Sequence, residues 1–352
     1  MAALRPAAPR IAAIAALAVA AIAAAFSIIG CAGNGADAAS RLPGVKLVEL
    51  AGVGVAAWSP DGRRIAVPVR GGIGLRKPDG APAGRIDAPP MRIYFGSPNR
   101  IQWSPDGRWL RYVTAVGPER GHGIWATQVR RDGTGLSQTP LGTELAFPAW
   151  SPDGWPLVFA TGPLEWEPDG KRSGPAAALR AVSGPGARPR KLLATAGIPE
   201  EPVVSHGQIL FKQWRHHRTE LWTVGADGSA PRRLGGFVFL RHYERSPNGR
   251  LVAFAGLSPD GPGTRLFVVP SAGGKPKVVA DGEVVGGPVW SPDGSWLTFS
   301  NAEGEIKRIH PDGSGAETIA SFPGEEVHGM LWSPDGRRLL YSTVPFRSEF
   351  AD

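Results

Sequence analysis

The pentapeptide Trp-Ser-Pro-Asp-Gly recurs along the chain at nearly even spacing. It begins at Trp58, Trp103, Trp150, Trp290 and Trp332, and a variant, Arg245-Ser246-Pro247-Asn248-Gly249, stands between the third and fourth copies. Successive starts are 45, 47, 95, 45 and 42 residues apart. Such a period marks a repeat architecture in which each unit is one supersecondary motif that cannot bury its apolar face alone. The interval of 95 is twice the others. It places a degenerate copy near Pro202-Val203-Val204-Ser205-His206-Gly207 and predicts seven units, or six if that copy merges with a neighbour. A further match, Leu257-Ser258-Pro259-Asp260-Gly261, comes 12 residues after Arg245 and reads as a loop.

Nine residues after each motif start stand Val67, Tyr112, Phe159, Phe254, Phe299 and Tyr341, ending short apolar runs such as Leu251-Val252-Ala253-Phe254. A constant offset through a turn means a hairpin of fixed register. Each unit carries a second turn, as in Pro78-Asp79-Gly80, Asp132-Gly133, Asp227-Gly228, Gly273-Gly274 and Pro311-Asp312-Gly313. Four strands per unit is a propeller blade. With Gly 48 and Pro 35 in 352 residues, turns dominate the composition, and the fold class is all-β: a propeller of four-stranded antiparallel blades over residues 44–352. The last unit has room for about three strands, so Lys46-Leu47-Val48-Glu49-Leu50 is expected to complete it as an outer strand and close the ring.

The motif itself is turn and core chemistry. Proline presets φ, serine and aspartate satisfy nearby backbone N–H groups, and glycine closes the turn in the left-handed region. Asp61, Asp106, Asp153, Asp293 and Asp335 are therefore structural rather than catalytic, as are the motif tryptophans, each of which buries an apolar face between sheets.

The first 30 residues differ from the rest: Arg5 and Arg10 precede an apolar stretch from Ile11 to Ile29, the layout of a secretory signal. Ile28-Ile29-Gly30-Cys31 follows, which resembles a bacterial lipobox, with the chain's single cysteine at the lipidation position. The organisation expected is a signal over 1–30, a linker over 31–43 and the propeller beyond, displayed outside the cytoplasm by a lipid on Cys31. An uncleaved transmembrane anchor is the alternative, since the stretch approaches the ~20 residues that span a bilayer. One cysteine excludes an intrachain disulfide framework.

The net charge is +8, of which Arg5 and Arg10 contribute two, leaving +6 after the signal. The excess is spread over turns such as Asp61-Gly62-Arg63-Arg64, with no run of five or six like charges, which argues against nucleic-acid binding. A basic exterior facing anionic lipid or acidic envelope polymers is compatible, although arginine-rich composition alone is the simpler reading.

Repeated Trp-Ser-Pro-Asp-Gly followed by an apolar strand and a later Asp-Gly resembles the repeat of TolB-type propellers, also found in the non-catalytic domains of prolyl oligopeptidase-like peptidases. The resemblance covers residues 44–352 and implies the propeller fold. TolB itself is similar to a periplasmic protein whose propeller follows an α/β domain and contacts a peptidoglycan-associated lipoprotein. Here about a dozen residues, Ala32 to Pro43, separate Cys31 from the propeller, which leaves no room for that domain. A TolB-like propeller lipoprotein is the closer description.

No Gly-x-Ser-x-Gly elbow is present, and His122, His206, His216, His217, His242, His310 and His328 show no metal-ligand spacing. The expectation is a non-enzymatic, monomeric binding or scaffolding protein without cofactor or metal, whose partner is an envelope protein or peptide. Capture of a glycan or peptide ligand is the second reading; a propeller hydrolase or lactonase with a site dispersed over blades is the third. Binding is expected where the loops entering each innermost strand gather at one mouth of the channel. Arg92, Tyr94, Glu144, Arg241, His242, Tyr243, Glu326 and His328 are the candidate contacts there. The segment Lys212-Gln213-Trp214-Arg215-His216-His217-Arg218 could suit an acidic partner, but reads more simply as a solvated basic strand edge.

Overall fold

The computed structural model describes residues 42–50, 56–89, 91, 101–116, 123–142, 148–152, 154–162, 177–215, 218–257 and 263–345. The expected signal, Cys31 and most of the linker lie outside the described residues, as do Arg92, Tyr94, Glu144, Asp153 and residues 258–262 of the off-period motif. Every regular element described is a strand.

β1 (Lys46–Glu49) comes first. Blade 1 is β2 (Ala57–Trp58), β3 (Ile65–Val69), β4 (Gly72–Arg76) and β5 (Pro82–Asp87); blade 2 is β6 (Gln102–Trp103), β7 (Trp109–Val116), β8 (Gly123–Arg130) and β9 (Ser137–Gly142). Blade 3 is β10 (Pro148–Ser151), β11 (Gly154–Thr161), β12 (Ala178–Val182) and β13 (Arg190–Ala194); blade 4 is β14 (Ile198–Ser205), β15 (Gln208–Arg215), β16 (Arg218–Gly225) and β17 (Arg232–Phe237). Blade 5 is β18 (Phe239–Arg245), β19 (Leu251–Leu257), β20 (Thr264–Pro270) and β21 (Lys277–Ala280); blade 6 is β22 (Val284–Trp290), β23 (Leu297–Asn301), β24 (Glu305–Ile309) and β25 (Glu317–Ser321). β26 (Glu325–Trp332) and β27 (Arg338–Pro345) form blade 7 together with β1. The degenerate copy is a complete blade 4, so the count is seven and the six-blade alternative falls.

The turn chemistry explains the constant offset. In the first blade the Ser59 hydroxyl donates to Asp61 Oδ1 (2.6 Å) and accepts from Arg64 N–H (2.9 Å), while Arg63 N–H donates to Asp61 Oδ1 (3.0 Å). The same bonds recur around Ser104, Ser246, Ser291 and Ser333, with Asn248 in the aspartate's place in blade 5. The turn glycine sits at φ 66–72° at Gly62, Gly107, Gly249, Gly294 and Gly336, where a Cβ would be strained. These constraints fix the pairing seven residues on: Trp58 opposite Ile65, Trp103 opposite Leu110, Trp150 opposite Leu157, Trp290 opposite Leu297 and Trp332 opposite Leu339. Two positions further, Val67, Tyr112, Phe159, Phe254, Phe299 and Tyr341 are all at most 5% exposed.

The core is a ring of seven clusters, one per junction between consecutive blades. The closing junction packs Trp58, Ile65 and Val67 of blade 1 against Val48 and Leu340 of blade 7. Motif indoles reach across: Trp103 Nε1 donates to Ala57 O of the blade before (3.1 Å) and Trp290 Nε1 to Glu244 O (3.2 Å). The turns also nest in a circle, since a Cβ on Gly62 would lie 3.8 Å from Pro334 Cδ and one on Gly107 3.9 Å from Pro60 Cδ. Together these contacts, all among the described residues, close the propeller.

Two expectations need correction. β1 does close the ring as an outer strand, but it runs parallel to β27, with Lys46 opposite Arg338, in a blade that has three strands rather than four among the described residues. The chain enters beside the Arg337 turn, Lys46 N–H donating to Arg337 O (2.9 Å), so it can only run the way β27 runs. The Lys212 segment is no strand edge: β15 is paired on both sides, by β14 and β16.

Phe254 stacks on Phe267 (5.2 Å, 7°) and meets Phe237 edge-on (4.8 Å) between blades 4 and 5. Phe254→Ala is expected to cost about 3–5 kcal/mol in urea denaturation. The turn carboxyls Asp61, Asp106, Asp293 and Asp335 are held below the usual aspartate range, first by the serine hydroxyl and then by further hydrogen bonds. Depressed carboxyls stabilise the fold above the unfolded pKa of ~3.9 and lose that contribution as pH falls through their lower folded values. Thermal midpoints should therefore drop below about pH 4, and less steeply in Ser104→Ala, which removes the largest cause at Asp106.

Candidate channel-mouth site

In every antiparallel blade the Trp-motif turn and the second hairpin turn lie at one end, and the connections entering the innermost strand lie at the other. The second end is the channel mouth. There the innermost strands of blades 4 to 7 depart from regular pairing. Register breaks between Glu200 and Val203 in β14, between Arg241 and Tyr243 in β18, at Gly286 in β22, and between Val327 and Gly329 in β26. Bulges at matching heights in four successive blades re-aim the residues they set free. Two of these, Glu201 (φ 49°) and His242 (φ 29°), are non-glycine residues at positive φ, strain of order 1–3 kcal/mol each that the surroundings must hold.

What holds it is a buried polar cluster between blades 4 and 5. The turn Ser205-His206-Gly207-Gln208, with His206 at φ 50° and Gly207 at φ 67°, replaces the longer motif turn and sets Glu200 opposite Lys212. Lys212 Nζ lies 2.8 Å from Glu201 Oε1 and 3.6 Å from Glu200 Oε2. The Tyr243 hydroxyl donates to the Glu201 carbonyl oxygen, tying blade 5 to the bulge of blade 4. Burial would lower Lys212, but the Glu201 and Glu200 carboxylates outweigh it and keep the ammonium charged. Burial pushes Glu201 up and Lys212 pulls it back. Tyr243 is pushed well above its usual value, by burial first and by Glu201 next, and so stays a neutral donor. In blade 6, Ser300 Oγ accepts from Gly286 N–H (2.9 Å) and donates to Val327 O (2.6 Å), satisfying backbone freed by two bulges.

Five of the eight expected contacts fall on described strands. Arg241 is half-buried, its guanidinium 5.4 Å from the ring centre of Phe239, which is itself 40% exposed. His242 is exposed at the bulge, and Glu326 is half-buried two residues before the bulge at His328. Tyr243 is buried and serves as the support just described rather than facing the mouth. Arg92, Tyr94 and Glu144 lie outside the described residues. The support residues Glu200, Glu201 and Lys212 were not among the expected contacts; reading His206-Gly207 as a two-residue hairpin turn would have paired Glu201 with Lys212, and the bulge moves the pairing to Glu200. Among the described residues no group of three His, Cys, Asp or Glu side chains is arranged to hold a metal ion.

Lys212→Met would leave Glu201 buried without its counter-charge and is expected to cost roughly 3–5 kcal/mol. Adding Glu201→Gln should recover part of that loss in chemical denaturation, since the uncompensated charge is then gone.

No family model matches the chain, and no curated protein matches it. Solved structures do. TolB from Acinetobacter baumannii superposes with a TM-score of 0.51 at 14% identity, over 81% of this chain and 65% of that one. An oligogalacturonate lyase from Vibrio parahaemolyticus gives 0.56 at 14%, over 76% and 77%, and a prolyl endopeptidase gives 0.55 at 14%, over 77% and 43%. The chain thus has the fold that its repeats led one to expect, a TolB-like propeller, here of seven blades, and proteins of different activities resemble it in fold.

Proposed function

We propose that this chain is an exported, membrane-tethered propeller that acts by binding, without catalysis, and recognises an envelope protein or peptide at the mouth formed by blades 4 to 7. The observation that carries the reading is the strained pair Glu201 and His242, locked in neighbouring innermost strands by Lys212 and Tyr243. A scaffold that serves only to be stable would not hold two such residues on one wall; a preorganised binding wall would. The half-exposed Phe239 under Arg241 adds an aromatic face and a cation, which also favours a second reading, capture of a glycan through stacking and charge. An oligogalacturonate lyase and a prolyl endopeptidase share the fold, so a site dispersed over blades is the competing enzymatic reading. The tether is the lipid at Cys31, the chain's only cysteine, and the propeller is monomeric.

Crosslinking a tagged full-length protein in intact cells tests the reading. Defined envelope proteins should be captured, and Arg241→Ala/His242→Ala together with Glu326→Ala should reduce capture several-fold without shifting the thermal midpoint. Capture unchanged by these substitutions would move the site elsewhere, and capture of nothing specific would favour the glycan reading. Incorporation of a clickable palmitate, abolished by Cys31→Ala, is expected in the same cells; persistent labelling of that variant would refute the lipobox.

A further inference from the structure

The two ends of the propeller differ in charge. At the turn end, the outer strands of blades 3, 4 and 5 each begin with exposed cations: Arg190 and Lys191, Arg232 and Arg233, and Lys277, preceded by Arg188 and Lys275. These neighbours run from blade to blade. Arg232 donates to the Ala272 carbonyl of blade 5, and Lys277 Nζ to Asp312 O of blade 6 (2.6 Å). Arg63, Arg108, Arg250 and Arg337 are exposed on the motif turns of the same end, and these cations together outnumber the aspartates there, Asp61, Asp106, Asp293 and Asp335 on the motif turns and Asp79, Asp132, Asp227 and Asp312 on the second turns. The mouth end is closer to balanced: Glu200, Asp281, Glu283, Glu303, Glu325 and Glu326 lie there among Arg70, Arg215, Arg218, Arg241 and Arg265, the last paired with Asp281.

The chain's own tether joins the turn end. β1 runs parallel to β27 and starts opposite Arg338, the residue that follows the blade 7 motif turn, so the polypeptide before Lys46 arrives at the cationic end. From Cys31 to Leu42 an extended chain reaches at most about 40 Å. A lipid at Cys31 would therefore tether the propeller from this end. Charge fixed on a short leash beside anionic headgroups adds attraction that falls off within a Debye length of about 8–10 Å.

We infer that the turn end of the propeller is a membrane-docking face for anionic phospholipid, which holds the channel mouth pointing away from the bilayer. The inference extends the tethered reading above, and the test separates the two because it needs no lipid on Cys31. A chain beginning at Asp37, which retains every residue that closes the ring, is mixed with vesicles of phosphatidylcholine alone or with phosphatidylglycerol added. It should sediment with the phosphatidylglycerol vesicles at low salt and be released by high salt. Arg188→Glu/Arg190→Glu/Lys191→Glu should weaken that binding about tenfold or more, while the mouth-end pair Arg70→Glu/Arg218→Glu should leave it unchanged. If the triple variant loses its folded near-ultraviolet spectrum, Lys275→Glu/Lys277→Glu probes the same face. Binding that ignores phosphatidylglycerol, binding weakened equally by the mouth-end pair, or binding to soluble polyglutamate at equal strength would each overturn the proposal, the last by assigning the face to an acidic polymer.

Discussion

The serine of the recurring turn is the pivot of this molecule. Its hydroxyl accepts the N–H five residues on and donates to the aspartate two residues on, and that aspartate accepts the next free N–H. With glycine at positive φ, the hairpin has one available register, and register decides which side chains reach the interblade junctions. A slip of one residue would turn Tyr112 or Phe159 onto the opposite face of its blade, from one junction to the other. The bonds are short-range and individually worth only about 1 kcal/mol. Their consequence is long-range, because each blade offers its neighbour a surface whose geometry is set locally and repeated around the circle.

Much of this was legible from the chain. The period, the offset of nine residues and the second turns together determine blade number, hairpin register and the buried aromatic at each junction, since all three are local in sequence. The direction of β1 was not legible: its partner is Arg338, almost three hundred residues away, and either polarity satisfies an exposed strand edge. The site was half legible. Its height at the starts of the innermost strands followed from blade topology, and His242 and Arg241 were found that way. The cluster of Glu201, Lys212 and Tyr243 was missed because it depends on a bulge and on contact between blades, and neither leaves a periodic signal. Lys212 looked like a solvated cation because the basic residues Arg215, His216, His217 and Arg218 gave it that context.

Regularity and irregularity are segregated along the axis. The turn end repeats the same hydrogen bonds in blade after blade, with prolines nested over the glycines of the next turn. The mouth end carries bulges in four consecutive innermost strands and a buried ion pair, with the positive φ of Glu201 and His242 inside strands where that of His206 and Ala230 falls in turns. The stabilising hydrophobic junctions lie between the two and are continuous around the ring, so strain at the mouth is borne by a core that does not depend on it. Blade 4 shows the division within one unit, with the tightest turn of the set at one end and the Lys212 cluster at the other.

Ring closure couples this polarity to the rest of the chain. A fourth, antiparallel outer strand supplied by the N-terminus would run as the second strand does, from the turns toward the mouth. Here the closing strand occupies the third place and runs with β27, so it starts at the turns as well, and the connection to everything upstream leaves from the cationic end. Closure by an N-terminal strand in either place thus brings the upstream chain in at the turn end. The bulged mouth lies at the opposite end of the blades from that connection.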